Sequence, residues 1–281
     1  MFDDRDREFD PAATLHRSLR DARSFIAATL PVTDSTSYPK RLLYPLDFPP
    51  QSDSEQQAMC EDFYTIVEDF LGVKRTPISI RDMWATKPPK EAGAKTLQDA
   101  VWPMYYDTYH TFDNFRKDYR AAFGKEAFVG PYMRKRWSLA VPFTEEKQTG
   151  GVAEMKIFRT WFDEHIMGKG PDGITIAFAL MPFGSATPKY RDDPNKLPSI
   201  VPSFSVFYLP AILQLPQLPH ESRVSGHTEY LPIVSTLMGA SGSDPLLINL
   251  AQDVLQKAGW PTEVMMGREM FKVGKNIRNV L

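Results

Sequence analysis

The chain has 281 residues, a near-neutral charge balance and a single cysteine. Its 33 Lys and Arg face 35 Asp and Glu, a formal charge of −2, which argues against a dedicated nucleic-acid binder because such proteins carry a basic surplus. Since Cys60 is the only cysteine, no disulfide can form within the chain, and nothing indicates an oxidising compartment.

No targeting or membrane segment is expected either. The first ten residues (MFDDRDREFD) are acidic and polar, which is the opposite of a signal peptide. The longest apolar run, residues 174–183, is too short for a membrane helix, which needs about 20 residues. We therefore expect a soluble, cytoplasmic protein that binds neither nucleic acid nor membrane.

The first elements in chain order are helices separated by short strands. Asp10-Pro11 is typical of a helix start and predicts that the first helix begins there. Residues 42–44 (LLY) form an apolar run typical of a buried strand. Apolar residues at helical spacing then predict a helix that ends at Gly72, and residues 73–80 return to strand character.

An aromatic series follows at helical spacing and is closed by Gly124. Pro103 is expected to kink or split this helix. The aromatic residues of the series are Trp102, Tyr105, Tyr106, Tyr109, Phe112, Phe115, Tyr119 and Phe123. Two interpretations are open, and they can coexist: the rings pack in the core, or they wall an apolar ligand pocket. Core packing is favoured because helical spacing alone predicts it.

The remaining elements predict an α/β fold. Thr144 with two following acids is typical of a helix start, although Gly150-Gly151 is expected to break its first turns. Strands are predicted at residues 174–181 and 230–238, and a helix follows from Asp244-Pro245. This alternation of strands and helices predicts a parallel or mixed sheet covered by helices.

Ser241 is the first candidate nucleophile, because it lies in the stretch GASGS directly after a predicted strand. A nucleophile elbow requires glycine two positions before and two positions after the serine, and here the second of these is Ser243. A strand-to-helix turn followed by an N-cap explains the segment better.

Histidines give no metal site and no cofactor site. Asp107 and His110 lie one turn apart on a helix, as do Trp161 and His165, but a metal needs three or four converging ligands. Neither a P-loop nor a dinucleotide fingerprint is present. The expected metal and cofactor content is therefore none, and a repurposed enzyme that pairs His110 or His227 with a carboxylate is the weakest hypothesis.

Seven stretches of the sequence share the motifs of one known family. The stretches are residues 179–192 (ALMPFGSATPKYRD), 209–217 (LPAILQLPQ), 218–244 (LPHESRVSGHTEYLPIVSTLMGASGSD), 251–264 (AQDVLQKAGWPTEV), 267–268 (GR), 38–45 (YPKRLLYP) and 70–80 (FLGVKRTPISI). Together they resemble the amidase signature family, in its fungal-type branch. The resemblance covers most of the chain and weakens in the first thirty residues. It implies the C-terminal portion of a carboxylic-amide hydrolase, with a partial α/β/α sandwich and a mixed sheet covered by helices.

The resemblance also implies which residues are missing. In that family a serine attacks the amide carbon, a second serine relays the proton and a lysine acts as base, all in a Gly/Ser-rich N-terminal region. No such loop occurs in this chain, which is expected to begin after that region would end, so the expected catalytic set is none. A further departure is Tyr208 before Leu209-Pro210, where the family commonly has glycine.

What remains is expected to be one wall of a substrate cleft. Tyr190, Arg191 and Asp192 are the candidate pocket residues, since they lie in the loop after a predicted strand; the alternative is that they anchor that loop to the sheet. We expect one incomplete domain over residues 1–281. It comprises an N-terminal helix region (1–34), a mainly helical part (35–172) and a sheet-forming part (173–281).

Two functional hypotheses follow. The first is a truncated amidase-family chain, a pseudoenzyme when alone, that can contact a small amide ligand. The second is a non-catalytic binding or partner protein. Because a sheet cut through its middle has an unpaired edge, the second hypothesis predicts a homo-oligomer or a complementary N-terminal amidase chain.

Overall fold

The computed structural model describes residues 14–30, 37–48, 54–92, 103–183, 217–224 and 231–263, which contain eight α-helices, a short 3-10 helix (Lys90–Ala92) and five strands. The helices are α1 (Leu19–Thr29), α2 (Ser54–Leu71), α3 (Ile80–Thr86), α4 (Pro103–His110), α5 (Asp113–Phe123), α6 (Pro131–Ala140), α7 (Glu145–His165) and α8 (Asp244–Ala258). The strands are β1 (Leu42–Pro45), β2 (Thr76–Ile78), β3 (Phe178–Phe183), β4 (Gln217–Val224) and β5 (Leu231–Met238).

The strands form one mixed sheet in the order β2-β1-β3-β5-β4. β1 is parallel to both β2 and β3, whereas β5 is antiparallel to both β3 and β4. All described strands except β5 therefore point in the same direction. The predicted mixed sheet is confirmed, and two of its strands come from residues 35–172.

Helices cover both faces of the sheet. Consecutive strand residues point to opposite sides, and because both sides carry apolar side chains, each side packs against helices. On one face Leu42 and Phe178 pack with α2 and α8, and on the other Leu43 and Ala179 pack with α3 and α7. The result is the predicted three-layer α/β/α arrangement, with one apolar core on each side of the sheet.

Local signals located several elements correctly. The predicted strand at residues 42–44 is β1, and the helix before Gly72 is α2, with Gly72 at φ 67°. The strand predicted at residues 73–80 is shorter than expected. β2 ends at Ile78 because Ser79 caps a new helix, accepting a hydrogen bond from the backbone N–H of Asp82 at 3.1 Å.

Two predictions about helices were wrong, one on where a helix begins and one on where a helix is interrupted. Asp10-Pro11 lie outside the described part, but residues 14–17, which the predicted helix included, are not helical, and α1 begins at Leu19 after Ser18. Ser18 is the actual N-cap, and its hydroxyl accepts the backbone N–H of Asp21 at 3.0 Å. Gly150-Gly151 does not interrupt α7, because one glycine lowers helix stability by only about 1 kcal/mol and the helix is held by its buried face.

The aromatic series forms two helices, α4 and α5, rather than one. Pro103 is the first residue of α4, and the chain turns after His110 before α5 begins. Core packing was the wrong interpretation for α5, which has no buried residue. Its phenylalanine side chains are exposed because no other described element covers that face of the helix.

Candidate functional site

Four strands end at one edge of the sheet, which we call the carboxyl edge. β1, β2, β3 and β4 end there at Pro45, Ile78, Phe183 and Val224, and the antiparallel β5 begins there at Leu231. Ligands in open α/β sheets bind in the crevice outside the carboxyl ends of the strands. The carboxyl edge is therefore the candidate site.

The predicted pocket residues belong to a connection that leaves this edge. Tyr190, Arg191 and Asp192 lie outside the described residues, so their contacts are not part of the site's geometry. Phe183, which ends β3, is the last described residue before them.

Asp47 is a carboxylate at this edge, directly after β1, and it stabilises the start of α3. Its oxygens accept hydrogen bonds from the Ser79 hydroxyl at 3.1 Å, the Ile80 backbone N–H at 2.6 Å and the Arg81 backbone N–H at 3.4 Å. A carboxylate that accepts several hydrogen bonds at a helix N-terminus has a structural role. We assign Asp47 to holding β1 and α3 together.

Ser241 lies at the opposite edge of the sheet, in the turn between β5 and α8. The side chain is exposed, and its hydroxyl makes no hydrogen bond within the described residues. Gly242 has φ 79°, and Ser243 is the N-cap residue of α8, so the predicted strand-to-helix turn is confirmed with α8 starting at Asp244. A serine without a base is a poor nucleophile.

His110 and His165 have structural partners. His110 Nδ1 lies 2.9 Å from an Asp113 carboxylate oxygen, and its ring stacks on Tyr106 at 4.1 Å. His165 Nδ1 lies 2.9 Å from the carbonyl oxygen of Trp161. Within the described ranges, no group of three His, Cys, Asp or Glu side chains could hold a metal ion.

Tyr64 and Cys60 are nucleophile types buried between α2 and the sheet. The Ser235 hydroxyl lies 3.3 Å from the Tyr64 hydroxyl and 3.1 Å from the carbonyl oxygen of Met181. Burial raises the pKa of the Tyr64 hydroxyl far above its ordinary value, and burial likewise raises the pKa of the Cys60 thiol. Both groups are therefore protonated at neutral pH, so neither is an activated nucleophile.

A polar cluster on the α2 side of the sheet was not predicted from the sequence. Gln57 Nε2 donates to the Tyr44 hydroxyl at 2.9 Å and to a Glu61 oxygen at 2.6 Å, while the Arg75 guanidinium pairs with the other oxygen of Glu61. The guanidinium also lies 4.9 Å from the centre of the Tyr44 ring. These contacts fasten α2 to Arg75, which directly precedes edge strand β2.

Glu68 completes this cluster. It accepts hydrogen bonds from Lys74 Nζ at 2.8 Å and from the backbone N–H of Arg75 at 3.0 Å. Burial acts to raise the pKa of Glu68, but these hydrogen bonds and the two positive charges outweigh it, so the pKa is below its ordinary value. Glu68 and Arg75 are seven residues apart, and no short motif would have indicated the pair.

The fold is similar to that of solved amidase-signature structures. The allophanate hydrolase of Kluyveromyces lactis matches with a TM-score of 0.54 and 14% identity, over 85% of this chain and 36% of that chain. A bacterial aryl acylamidase of the amidase signature family matches with a TM-score of 0.51 and 14% identity, over 79% and 44%. A 6-aminohexanoate cyclic dimer hydrolase in complex with its substrate matches with a TM-score of 0.51 and 14% identity, over 87% and 54%.

These similarities show an amidase-signature-like fold, which confirms the fold expected from the sequence. The chain spans only 36% to 54% of the length of these three structures. No model of a known protein family matches the sequence. Among the described helices, none is long and apolar enough to cross a membrane.

Proposed function

We propose that the chain is the C-terminal segment of a fungal-type amidase-signature hydrolase. In this proposal it supplies one wall of the cleft for a carboxylic amide but not the nucleophile. The observation that carries the proposal is the amidase-signature-like sheet, combined with described polar groups that are engaged in structural contacts. Asp47 caps α3, and Tyr64 and Cys60 have raised pKa values.

The chemistry of amide hydrolysis explains why the chain alone should be inactive. A serine hydroxyl attacks an amide carbon only when an adjacent base takes its proton. The tetrahedral intermediate also needs aligned donors, and losing one such donor typically lowers kcat by about 10²–10³-fold. A chain without the Ser-Ser-Lys unit therefore lacks both the attacking group and its base.

Tyr190, Arg191 and Asp192 are the pocket residues in this proposal. They follow β3, whose end lies at the carboxyl edge, where an amide would bind between this chain and the segment that carries the serines. We also propose a cytoplasmic location, in keeping with Cys60 as a buried free thiol.

The direct test is an activity-based one. The purified chain is incubated with anilide and alkyl-amide substrates and, separately, with a fluorophosphonate probe, beside an intact amidase as positive control. We expect no turnover above buffer and no labelled serine. A covalent adduct on any serine of the isolated chain would disprove the proposal.

A second experiment supplies what is proposed to be missing. The genomic DNA immediately upstream is read for an in-frame segment rich in Ser and Gly with a lysine, and that segment is co-expressed with the chain. Amide hydrolysis by the pair, and its loss when the predicted nucleophilic serine is changed to alanine, would support the proposal. An upstream region without such a segment would argue against it.

The alternative function is that of a non-catalytic partner protein, and the sheet edges favour it. β4 is eight residues long and pairs only with β5 among the described strands, which leaves its outer edge available for another strand. A complementary amidase chain or a second copy would pair there. Native mass spectrometry at micromolar concentration distinguishes these partners. A stable monomer that does not bind the co-expressed segment would exclude both the second copy and the complementary chain as partners.

A further inference from the structure

α4, α5 and α6 lie toward the carboxyl edge, on the α7 side of the sheet. The C-terminal end of α7 is at the other edge, where the Ile166 carbonyl oxygen accepts a hydrogen bond from Arg41 at 3.4 Å and Arg41 precedes β1. The first turns of α7 therefore point toward the carboxyl edge. α4 packs on those turns, with Gln148 Nε2 3.4 Å from an Asp107 carboxylate oxygen.

α5 carries an aromatic stripe, formed by Phe115, Tyr119 and Phe123, that no other described element covers, whereas Phe112, directly before the helix, lies 5.8 Å from the Trp137 ring of α6. Phe115 is 48% exposed and Phe123 is 63% exposed. The rings form a ladder: Phe115 and Tyr119 are 5.9 Å apart between centroids, and Tyr119 and Phe123 are 4.6 Å apart. A helix with an apolar face of this kind normally packs that face against a partner.

The segment that contains α5 and α6 is basic, although the whole chain is slightly acidic and Arg116 and Arg120 pair with Asp113 and Glu126. Residues 112–141 contain seven Lys or Arg and three Asp or Glu, a formal charge of +4, against −2 for the chain. A second copy of this surface would be repelled, whereas an acidic segment would be attracted. The occupant that fits is therefore an acidic segment with aromatic side chains.

The chain's own first ten residues have that chemistry. The sequence MFDDRDREFD contains five acids, two arginines and two phenylalanines, Phe2 and Phe9, for a formal side-chain charge of −3. The opposite charges match the basic surface, and the two phenylalanines match the ring stripe. Phe and Arg are also typical of the centres of protein interfaces.

The position of α1 brings this segment to the correct edge. Ser18 forms a β-bridge with Glu263, and the backbone N–H of Leu19 donates to the carbonyl oxygen of Thr262 at 3.2 Å. Thr262 follows α8, which runs back from the turn after β5 to the carboxyl edge. Residues 1–13 could span roughly 45 Å when extended, and the step from the α8 layer to the α7 layer is about 20 Å.

We infer that residues 1–10 cross the carboxyl edge and dock on the aromatic stripe of α5. Phe2 and Phe9 contact the rings, and the acids face the surrounding Lys and Arg side chains. This docking does not require amidase activity, so a test of the docking is independent of a test of the proposed function.

Cross-linking within the full chain tests the docking, because Cys60 is 1% exposed and should not react in the folded protein. Asp3→Cys is combined with Ala122→Cys, beside the stripe, or with Ala121→Cys, on the other face of α5. A short bismaleimide is added at low protein concentration. We expect the first pair to form an intrachain cross-link about tenfold faster, since docking raises the local concentration of the two thiols.

Two variants of the first pair serve as matched tests. Phe115→Ser with Phe123→Ser removes stripe rings and should abolish the difference in rate, while Asn114→Ser with Ala121→Ser, on the opposite face, should retain it. Salt at about 1 M should slow the reaction, because the Debye length then falls to roughly 3 Å. Circular dichroism checks that each variant is folded.

Three results would overturn the inference. These are equal cross-linking rates for the two thiol pairs, a product that joins two chains, and insensitivity of the rate to the loss of Phe115 and Phe123. If the rates are equal and the stripe variant loses binding to anionic lipid vesicles that the unchanged chain shows, the surface is a membrane contact.

Discussion

α8 and α5 are both amphipathic helices that end at a glycine in the left-handed region, yet their surroundings are opposite. Gly259 follows α8 with φ 67°, and Gly124 follows α5 with φ 65°. Leu247, Leu250 and Val254 of α8 are fully buried against the sheet, whereas α5 has no buried residue. Amphipathic spacing thus indicates that a helix face needs a partner, but not which partner covers it.

The largest expected effect is the difference in stability between alanine substitutions of a buried and an exposed phenylalanine. Phe162 of α7 is fully buried, so Phe162→Ala should lower the free energy of unfolding by about 3–5 kcal/mol. Phe115→Ala in α5 should cost less than about 1 kcal/mol, because the site is exposed and no core cavity forms. Urea denaturation measures both. Similar losses at the two sites would mean that α5 is packed as tightly as α7.

The parts of the fold that were predicted correctly depend on local signals. The apolar run of β1 and the left-handed glycine after α2 identify those elements without knowledge of distant contacts. The same holds for the turn from β5 into α8. Such signals involve residues within a few positions of one another, and a single sequence contains them in full.

Features that join distant parts of the chain were not predictable in this way. Ser235 and Tyr64 are 171 residues apart and meet only because β5 and α2 pack together. The cluster of Glu61, Glu68 and Arg75 likewise needs the turn that returns the chain from α2 to β2. The prediction that the α5 rings pack in the core was wrong for a related reason. Their spacing showed that they share one face of the helix, but it did not show whether another element covers that face.

The second prediction compares a buried carboxylate with an exposed one. At pH 7, Glu68→Gln should lower the free energy of unfolding by about 1.5–3 kcal/mol, because it removes a charged acceptor from Lys74 and Arg75. Asp113→Asn, at the exposed first residue of α5, should cost less than about 1 kcal/mol. Urea denaturation of both variants gives the difference.

The pH dependence of the Glu68 variant has a definite sign. The pKa of Glu68 is lower in the folded chain than in the unfolded chain. The stability that the ionised Glu68 adds to the folded chain is therefore fully present above the unfolded pKa of about 4.3, and it is lost as pH falls through the folded pKa. The stability gap between the unchanged chain and Glu68→Gln should narrow below about pH 4. A gap that widens on acidification would contradict this assignment.

The third prediction concerns a helix start. Asp47→Ala should lower the free energy of unfolding by about 1–2 kcal/mol, because the Ile80 and Arg81 N–H groups lose their acceptor at the start of α3. Asp118→Ala, on the exposed surface of α5, should change it by less than about 0.5 kcal/mol. If Asp47→Ala is neutral in thermal unfolding, its carboxylate is available for a role at the carboxyl edge.

The smallest expected effect compares two tyrosine hydroxyls. Tyr64→Phe should cost only about 1 kcal/mol, because the Ser235 hydroxyl retains the Met181 carbonyl oxygen as its acceptor at 3.1 Å. Tyr119→Phe in the stripe should be close to neutral. A double-mutant cycle with Ser235→Ala then isolates the Tyr64–Ser235 interaction. A coupling near zero would mean that the buried Tyr64 stabilises the fold through ring packing alone. The difference between Tyr64 in α2 and Tyr119 in α5 would then come from apolar contacts and not from the hydroxyl groups.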